Sequence, residues 1–283
     1  MKPVFLREVK MNIGKANKII LLCALAASAA AQAAENETTD SDRIAAYREM
    51  ISDGNPAEFD EMRGEELWKT AAGPKQATLE KCDLGKGAGV VKGAYAELPR
   101  YFKDTNKVQD LESRLLTCMS ALQGLSEDEV AAQPFSSEKK VPDISSLATY
   151  VVGQSKGIKM AVSVKHPKEK EAYEIGKRIF SYRAGPYDFA CSTCHATSGT
   201  RIRMQDLPNL LSNKKDVQAA YTTWPAYRVS QGLTRSFQWR LNDCFRQQRF
   251  PEPNFASEAT VALTMFLAVN ANGAEYAGPG LKR

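Results

Sequence analysis

Cys191-Ser192-Thr193-Cys194-His195 sets two thiols in a C-x-x-C spacing with an imidazole directly behind them. Two thiols so placed can add to the two vinyl groups of one porphyrin. The following histidine is then held under the iron as an axial ligand. A zinc or redox C-x-x-C with an incidental histidine is the competing reading. Zinc needs further ligands, and the only other histidine is His166. One covalently attached haem c is therefore expected, held by Cys191, Cys194 and His195.

The sixth position on the iron needs a second ligand. Met204 follows His195 too closely to reach the other haem face. Met265 falls in a helical pattern where methionine more often packs. His166 precedes Pro167 in a charged linker and reads as surface. Cys244 is left, within Arg240-Leu-Asn-Asp-Cys244-Phe-Arg-Gln-Gln248. Phe237, Leu241 and Cys244 recur at helical spacing, so they share one face. By spacing alone, a haem ligand and a buried structural cysteine remain equal readings of Cys244.

Elements must hold these groups. Residues 168–183 place Tyr173, Ile175, Ile179, Phe180 and Tyr182 in an amphipathic helical pattern leading to the haem motif. Residues 257–273 read as a second helix, capped by Ser257 and closed at Asn272-Gly273. A helix, C-x-x-C-H, irregular loops and a C-terminal helix are the order of a cytochrome c domain.

The first 33 residues read as an export leader. Lys2, Arg7, Lys10, Lys15 and Lys18 precede an apolar run from Ile19 to Ala31, with a small-x-small cleavage pattern ending at Ala33. Met11 is an alternative start. Cys23 has Leu22 before it, where a lipoprotein signal wants a small residue. The run is shorter than the roughly 20 apolar residues of a membrane span, so no stable membrane insertion is expected. Without the leader, 33 basic residues stand against 32 acidic ones. The basicity belongs mostly to the leader, which argues against nucleic-acid binding. Export to an oxidising periplasm also means that Cys82, Cys118, Cys191, Cys194 and Cys244 each need a role.

The chain repeats itself. Residues 98–119 align with 224–245 without a gap, matching Pro99, Tyr101, Arg114, Leu115 and Cys118 with Pro225, Tyr227, Arg240, Leu241 and Cys244. Residues 147–157 echo 263–273. Cys82 falls near the counterpart of the haem motif, in Cys-Asp-Leu-Gly-Lys, with a cysteine and the histidine missing. Cys82 and Cys118 are expected to form a disulfide across that haem-less pocket; two unpaired buried thiols are the alternative. The resulting expectation is an all-α protein of two cytochrome c-like domains. The leader occupies 1–33, the haem-less domain 34–160 and the haem domain 161–283. Their join falls in 155–171.

Cys191–His195, residues 240–248 and the Cys82/Cys118 pair together resemble the SoxA family, catalytic c-type cytochrome subunits of SoxAX and L-cysteine S-thiosulfotransferases of periplasmic sulfur oxidation. The resemblance covers most of the mature chain. It implies the single-haem type, with a disulfide in place of the other haem. It also implies that Cys244 is distal haem ligand and active-site cysteine, and that Arg240 holds substrate. The implied reaction joins thiosulfate oxidatively to a cysteine of the carrier SoxYZ. Two electrons pass through haem to SoxX, the heterodimer partner, and on to soluble c-type cytochromes.

The residue chemistry is compatible. Arg240 and Cys244 sit at i, i+4, so one helix face can present guanidinium and sulfur together. Arg114 stands in the same relation to Cys118, however, so the pattern also fits inherited haem-pocket architecture. Arg201, Arg203, Arg246 and Arg249 read as a solvated basic surface rather than an anion funnel. The rival functions are a periplasmic electron-transfer cytochrome c, a thiosulfate dehydrogenase forming tetrathionate, and a haem redox sensor. The first would want His/Met ligation. The second usually carries two C-x-x-C-H motifs. The third needs an output domain that the chain lacks.

Overall fold

Helix pairs that approach to backbone contact organise this chain. In the computed structural model, residues 54–127, 142–202 and 205–282 are described, together with Arg43, Ala46 and Glu49. The expected leader, Arg203 and Met204 lie outside the described residues. All elements below belong to the unit Tyr47–Arg283. Its helices run α1 (Ala57–Lys69), α2 (Leu111–Cys118), α3 (Asp143–Gly153), α4 (Pro167–Ser181), α5 (Cys191–His195), α6 (Lys214–Tyr221), α7 (Phe237–Gln247) and α8 (Glu258–Asn270).

Short strands join them, and here the all-α expectation needs correction. Strand β1 (Arg100–Phe102) pairs antiparallel with β2 (Lys107–Gln109), and β3 (Arg201–Ile202) with β4 (Gln205–Asp206). Strand β5 (Ala226–Arg228) lies between β6 (Leu233–Arg235), antiparallel, and β7 (Gly280–Lys282), parallel. The ladders are two or three residues long. They close the turns that deliver α2 and α7, and they are too short for an alternating pattern to register in the sequence.

α1 packs on α3, and α4 packs on α8. A Cβ added at Gly64 would stand 2.0 Å from the Ser146 carbonyl oxygen and 2.8 Å from Tyr150 Cβ. At Gly176 it would stand 1.9 Å from the Ala262 oxygen and 2.9 Å from Phe266 Cβ. One helical turn on, Trp68 meets Tyr150 at 6.1 Å and Phe180 meets Phe266 at 5.3 Å between ring centres. Ser146 and Tyr150 thus answer to Ala262 and Phe266, in the alignment of 147–157 with 263–273. The β1–β2 and β5–β6 hairpins repeat in register. Each feeds a side-chain cap: Asp110 accepts from Ser113 N before α2, and Ser236 accepts from Trp239 N before α7. The core is continuous across both halves, where Tyr95 stacks on Tyr221 and meets Tyr276 edge-on.

The repeat refines the position of Cys82. Bridges Ala72–Ala77 and Ala184–Phe189 are equivalent, as are the left-handed residues Gln76 and Asp188. Read on from there, Leu79 takes the place of Cys191, Cys82 that of Cys194, and Asp83 that of His195. Cys82 is bonded to Cys118, with the Cα atoms 5.5 Å apart across a sequence separation of 36. A bridge closing a loop of that length stabilises by about 4 kcal/mol in the chain-entropy account.

His166 is more than surface. Its Nδ1 accepts from Lys168 N (3.2 Å), while Glu169 Oε2 accepts from His166 N (3.1 Å), which caps α4. Its ring stacks on Tyr101 with centroids 3.8 Å apart. Pro167 follows at N1, where a missing N–H costs nothing.

Two buried carboxylates tie α2 to α7. Asp110 Oδ2 accepts from Gln238 Nε2 at 2.6 Å, and Glu112 Oε1 accepts from Gln238 N at 3.3 Å. Desolvation, then the charge of Asp110, pushes the Glu112 carboxyl from an ordinary 4.5 up to about 8. Its proton is held more tightly folded than unfolded. The associated stability is complete below the ordinary value and fades as pH rises through about 8. Glu112→Gln should therefore flatten thermal stability against pH and melt above the parent protein at about pH 9. Parallel melting curves for the two proteins would refute this. Gly176→Ala should cost at least about 2 kcal/mol in denaturant unfolding, because the added methyl meets backbone. A cost near zero would mean that the crossing can open.

Candidate active site

The haem motif is the short helix α5. It follows α4 through a loop whose Gly185 lies in the left-handed region, at φ 71°. A Cβ there would stand 2.6 Å from the Arg249 carbonyl oxygen. The chain entering α5 is therefore seated on the chain leaving α7. Ala190 N donates to Thr193 Oγ1 at 2.9 Å, setting the first turn of α5.

His195 is oriented from behind. A carbonyl only accepts, so the 2.8 Å contact between His195 Nδ1 and Pro208 O is an Nδ1–H donation. Nε2 is then the unprotonated nitrogen, the arrangement a metal-ligating imidazole needs. Desolvation keeps the ring's pKa below its ordinary value, and the nearby Arg240 charge adds to this. The free cysteines are Cys191, Cys194 and Cys244, each partly buried. Desolvation pushes the Cys191 thiol up to about 12, with Cys244 and Cys194 adding to it. The donor set fits a haem c: two free thiols in C-x-x-C spacing, then a neutral histidine held in the right tautomer. Cys191, Cys194 and His195 would hold the group.

α7 brings Cys244 to this site. Phe237 and Leu241 on the same face are buried, as the spacing predicts. The helix is pinned along its length. Gln238 ties Asp110 to Ala256 N, whose donation to Oε1 spans 2.8 Å, and Asn242 Nδ2 donates to Pro253 O at 2.9 Å. Desolvation raises the Cys244 thiol above its ordinary value, while the Arg240 and Arg228 charges pull it down. Cys191, Cys194, His195, Arg240 and Cys244 thus lie within reach of one another's charge. Met265 is fully buried in α8, as core packing requires, and His166 is occupied as a cap.

Two residues here escaped the sequence reading. Asp243, 5 % exposed, receives Arg240 Nη1 at 3.1 Å, Arg246 Nη2, and Gln247 Nε2 at 2.6 Å. Its i, i+3 spacing from Arg240 was visible, but not its burial. Arg228 comes from β5, and nothing in its sequence neighbourhood links it to Cys244. The outer arginines behave as surface groups: Arg201 pairs with Asp206 at 3.3 Å, Arg246 reaches in only to Asp243, and Arg249 is exposed. Arg240 and Arg114 have diverged. Arg114 is 4 % exposed, donates to Asp83 O (2.6 Å) and Asp104 Oδ2 (2.7 Å), and lies over the Phe102 ring.

Among the described residues, no helix is long and apolar enough to cross a membrane. Residues 63–160 match the family "SoxA/TsdA, cytochrome c domain". That match falls on the half without C-x-x-C-H. The L-cysteine S-thiosulfotransferase subunit SoxA of Hydrogenophilus thermoluteolus is 50% identical over 268 residues, covering 94% of this chain and 97% of that one. A SoxA subunit of the same name from Hydrogenobacter thermophilus is 33% identical over 222 residues, covering 78% and 80%. The fold is similar to that in the crystal structure of SoxXA from P. pantotrophus, with a TM-score of 0.66 and 23% identity over 81% of this chain and 79% of that one. Identity of this extent, over nearly the whole of both sequences, makes the chain a member of the SoxA family.

Proposed function

We infer that this chain is the catalytic subunit of an L-cysteine S-thiosulfotransferase. The observation that carries the reading is the free thiol of Cys244, within reach of the charges of Arg240, Cys191 and Cys194. The names of the relatives supply the reaction class. Two cytochrome c-like domains, 34–160 and 161–283, would then serve different ends. The first is closed by the Cys82–Cys118 disulfide and the second holds one haem c. The protein would act in the periplasm after removal of the leader near Ala33. It would pair with SoxX and use the SoxYZ carrier as sulfur acceptor, passing electrons on to soluble c-type cytochromes.

Thiosulfate is a small dianion with a nucleophilic outer sulfur. Joining it to a carrier thiol forms one S–S bond and releases a proton and two electrons. When bound, the haem supplies redox chemistry at the site. The chain's own residues do the rest. Arg240, steadied by Asp243, presents a permanently charged fork to the sulfonate oxygens. The same charge favours the thiolate of Cys244. Cys244 and His195, the latter with Nε2 left unprotonated by its donation to Pro208 O, would hold the haem together with Cys191 and Cys194.

Intact mass of the mature protein, with and without reductant and alkylation, should show one haem and two cysteines protected until reduction. Two haems, or alkylation of Cys82 without reductant, would overturn the domain assignment. Cys244→Ala should lower thiosulfate coupling at least about a hundredfold and change the haem spectrum, while Arg240→Ala should cost roughly ten- to a hundredfold in kcat/KM with the spectrum kept. A His/Met haem spectrum, unchanged in Cys244→Ala, would instead favour an electron-transfer cytochrome.

A further inference from the structure

Arg228 ends β5, the central strand of its sheet, opposite Leu233 on one side and Lys282 on the other. Its carbonyl accepts from both Gln231 N and Gly232 N, closing the turn into β6. β6 runs directly into Ser236 and α7, so the strand end is fixed relative to Arg240 and Cys244. The side chain is half-buried, and its Nε is buried without a hydrogen-bond partner. An unsatisfied guanidinium N–H is costly, about 1–3 kcal/mol, unless something accepts from it.

The charges around Arg228 are Arg240, Asp243, Cys244 and Arg235. Asp243 already receives Arg240, Arg246 and Gln247. Arg235 lies over the Trp239 ring at 4.7 Å and donates to Gln231 Oε1 at 3.0 Å. Desolvation, then repulsion from Arg240, holds the Arg228 guanidinium below its ordinary pKa. Two like charges thus act on one sulfur, and the buried carboxylate within their reach, Asp243, is already occupied.

The other half shows what this arrangement is without. The hairpin repeat puts Phe102 in the place of Arg228 and Arg114 in the place of Arg240. There the one arginine covers the phenyl ring at 4.0 Å and is neutralised by Asp104. The second guanidinium occurs only in the half with the free cysteine.

We propose that Arg228 is a substrate-binding residue, which with Arg240 forms a two-guanidinium clamp on the sulfonate end of thiosulfate, leaving its outer sulfur at Cys244. The proposal rests on the active-site reading given above. A clamp of two guanidiniums favours a dianion over a monoanion, because two positive charges are balanced by two negative ones.

The test uses the haem-loaded protein with its cytochrome partner and a carrier cysteine as acceptor. Arg228→Gln should raise KM for thiosulfate about ten- to a hundredfold while kcat stays within about twofold, and Arg228→Lys should recover part of the loss. Sulfate, an unreactive dianion, should inhibit the parent protein competitively and Arg228→Gln more weakly. The haem reduction potential should not move. An unchanged KM in Arg228→Gln overturns the clamp. So does a shifted potential with KM kept, since the guanidinium would then serve the haem edge. Cys244→Ala separates the two ideas: if it retains coupling, the active-site reading itself fails, whatever Arg228 does.

Discussion

Two helix crossings in this protein are made at backbone contact. At Gly176 the first helix of the second half meets the carbonyl of Ala262, and at Gly64 its counterpart meets that of Ser146. No side chain, however small, fits between them. Everything that positions the site depends on these crossings. α4 sets where the chain enters α5, and α8 forms the wall against which α7 and its neighbours pack. A rigid crossing suits a site whose groups come from distant segments, because an error at the crossing would be carried to each of them.

On that common frame the two halves have taken opposite courses. In the first, Leu79 and Asp83 stand where the haem motif would need a cysteine and a histidine. The remaining Cys82 is spent on Cys118, and the arginine before Cys118 is buried, paired and stacked. Arg114 there is satisfied internally, by Asp83 O and Asp104. In the second half, the equivalent cysteine is free, its arginine is steadied but still part-exposed, and a further guanidinium replaces a phenyl ring. The same hairpin and capped helix thus end in a disulfide in one half and in a free cysteine in the other. Asp110 and Glu112, from the first half, hold the first turn of α7. The first half therefore helps to position the helix that carries Cys244.

Much of this was legible in one dimension. Haem attachment depends on covalent spacing within five residues, so Cys191, Cys194 and His195 could be read directly. The α7 face and the cap at Ser257 are local helix chemistry, which periodicity and capping residues report well. The repeat could be read because the two halves keep a gapless alignment through the hairpin. The short strands were missed because their ladders are too brief to impose a pattern. His166 was taken for surface because its ring stacks on Tyr101, a partner from the other half that local sequence does not announce.

The sequence by itself determined which groups are present and which are local neighbours: the haem motif, the arginine one helical turn before Cys244, and a second cysteine pair. Chain connectivity and helical period suffice for that. Only the tertiary structure decided that Cys82 occupies the place of Cys194, that Asp243 is buried, and that the Arg228 charge reaches Cys244. Burial and charge at a site are set by what packs there from elsewhere in the chain, and no local pattern carries that information.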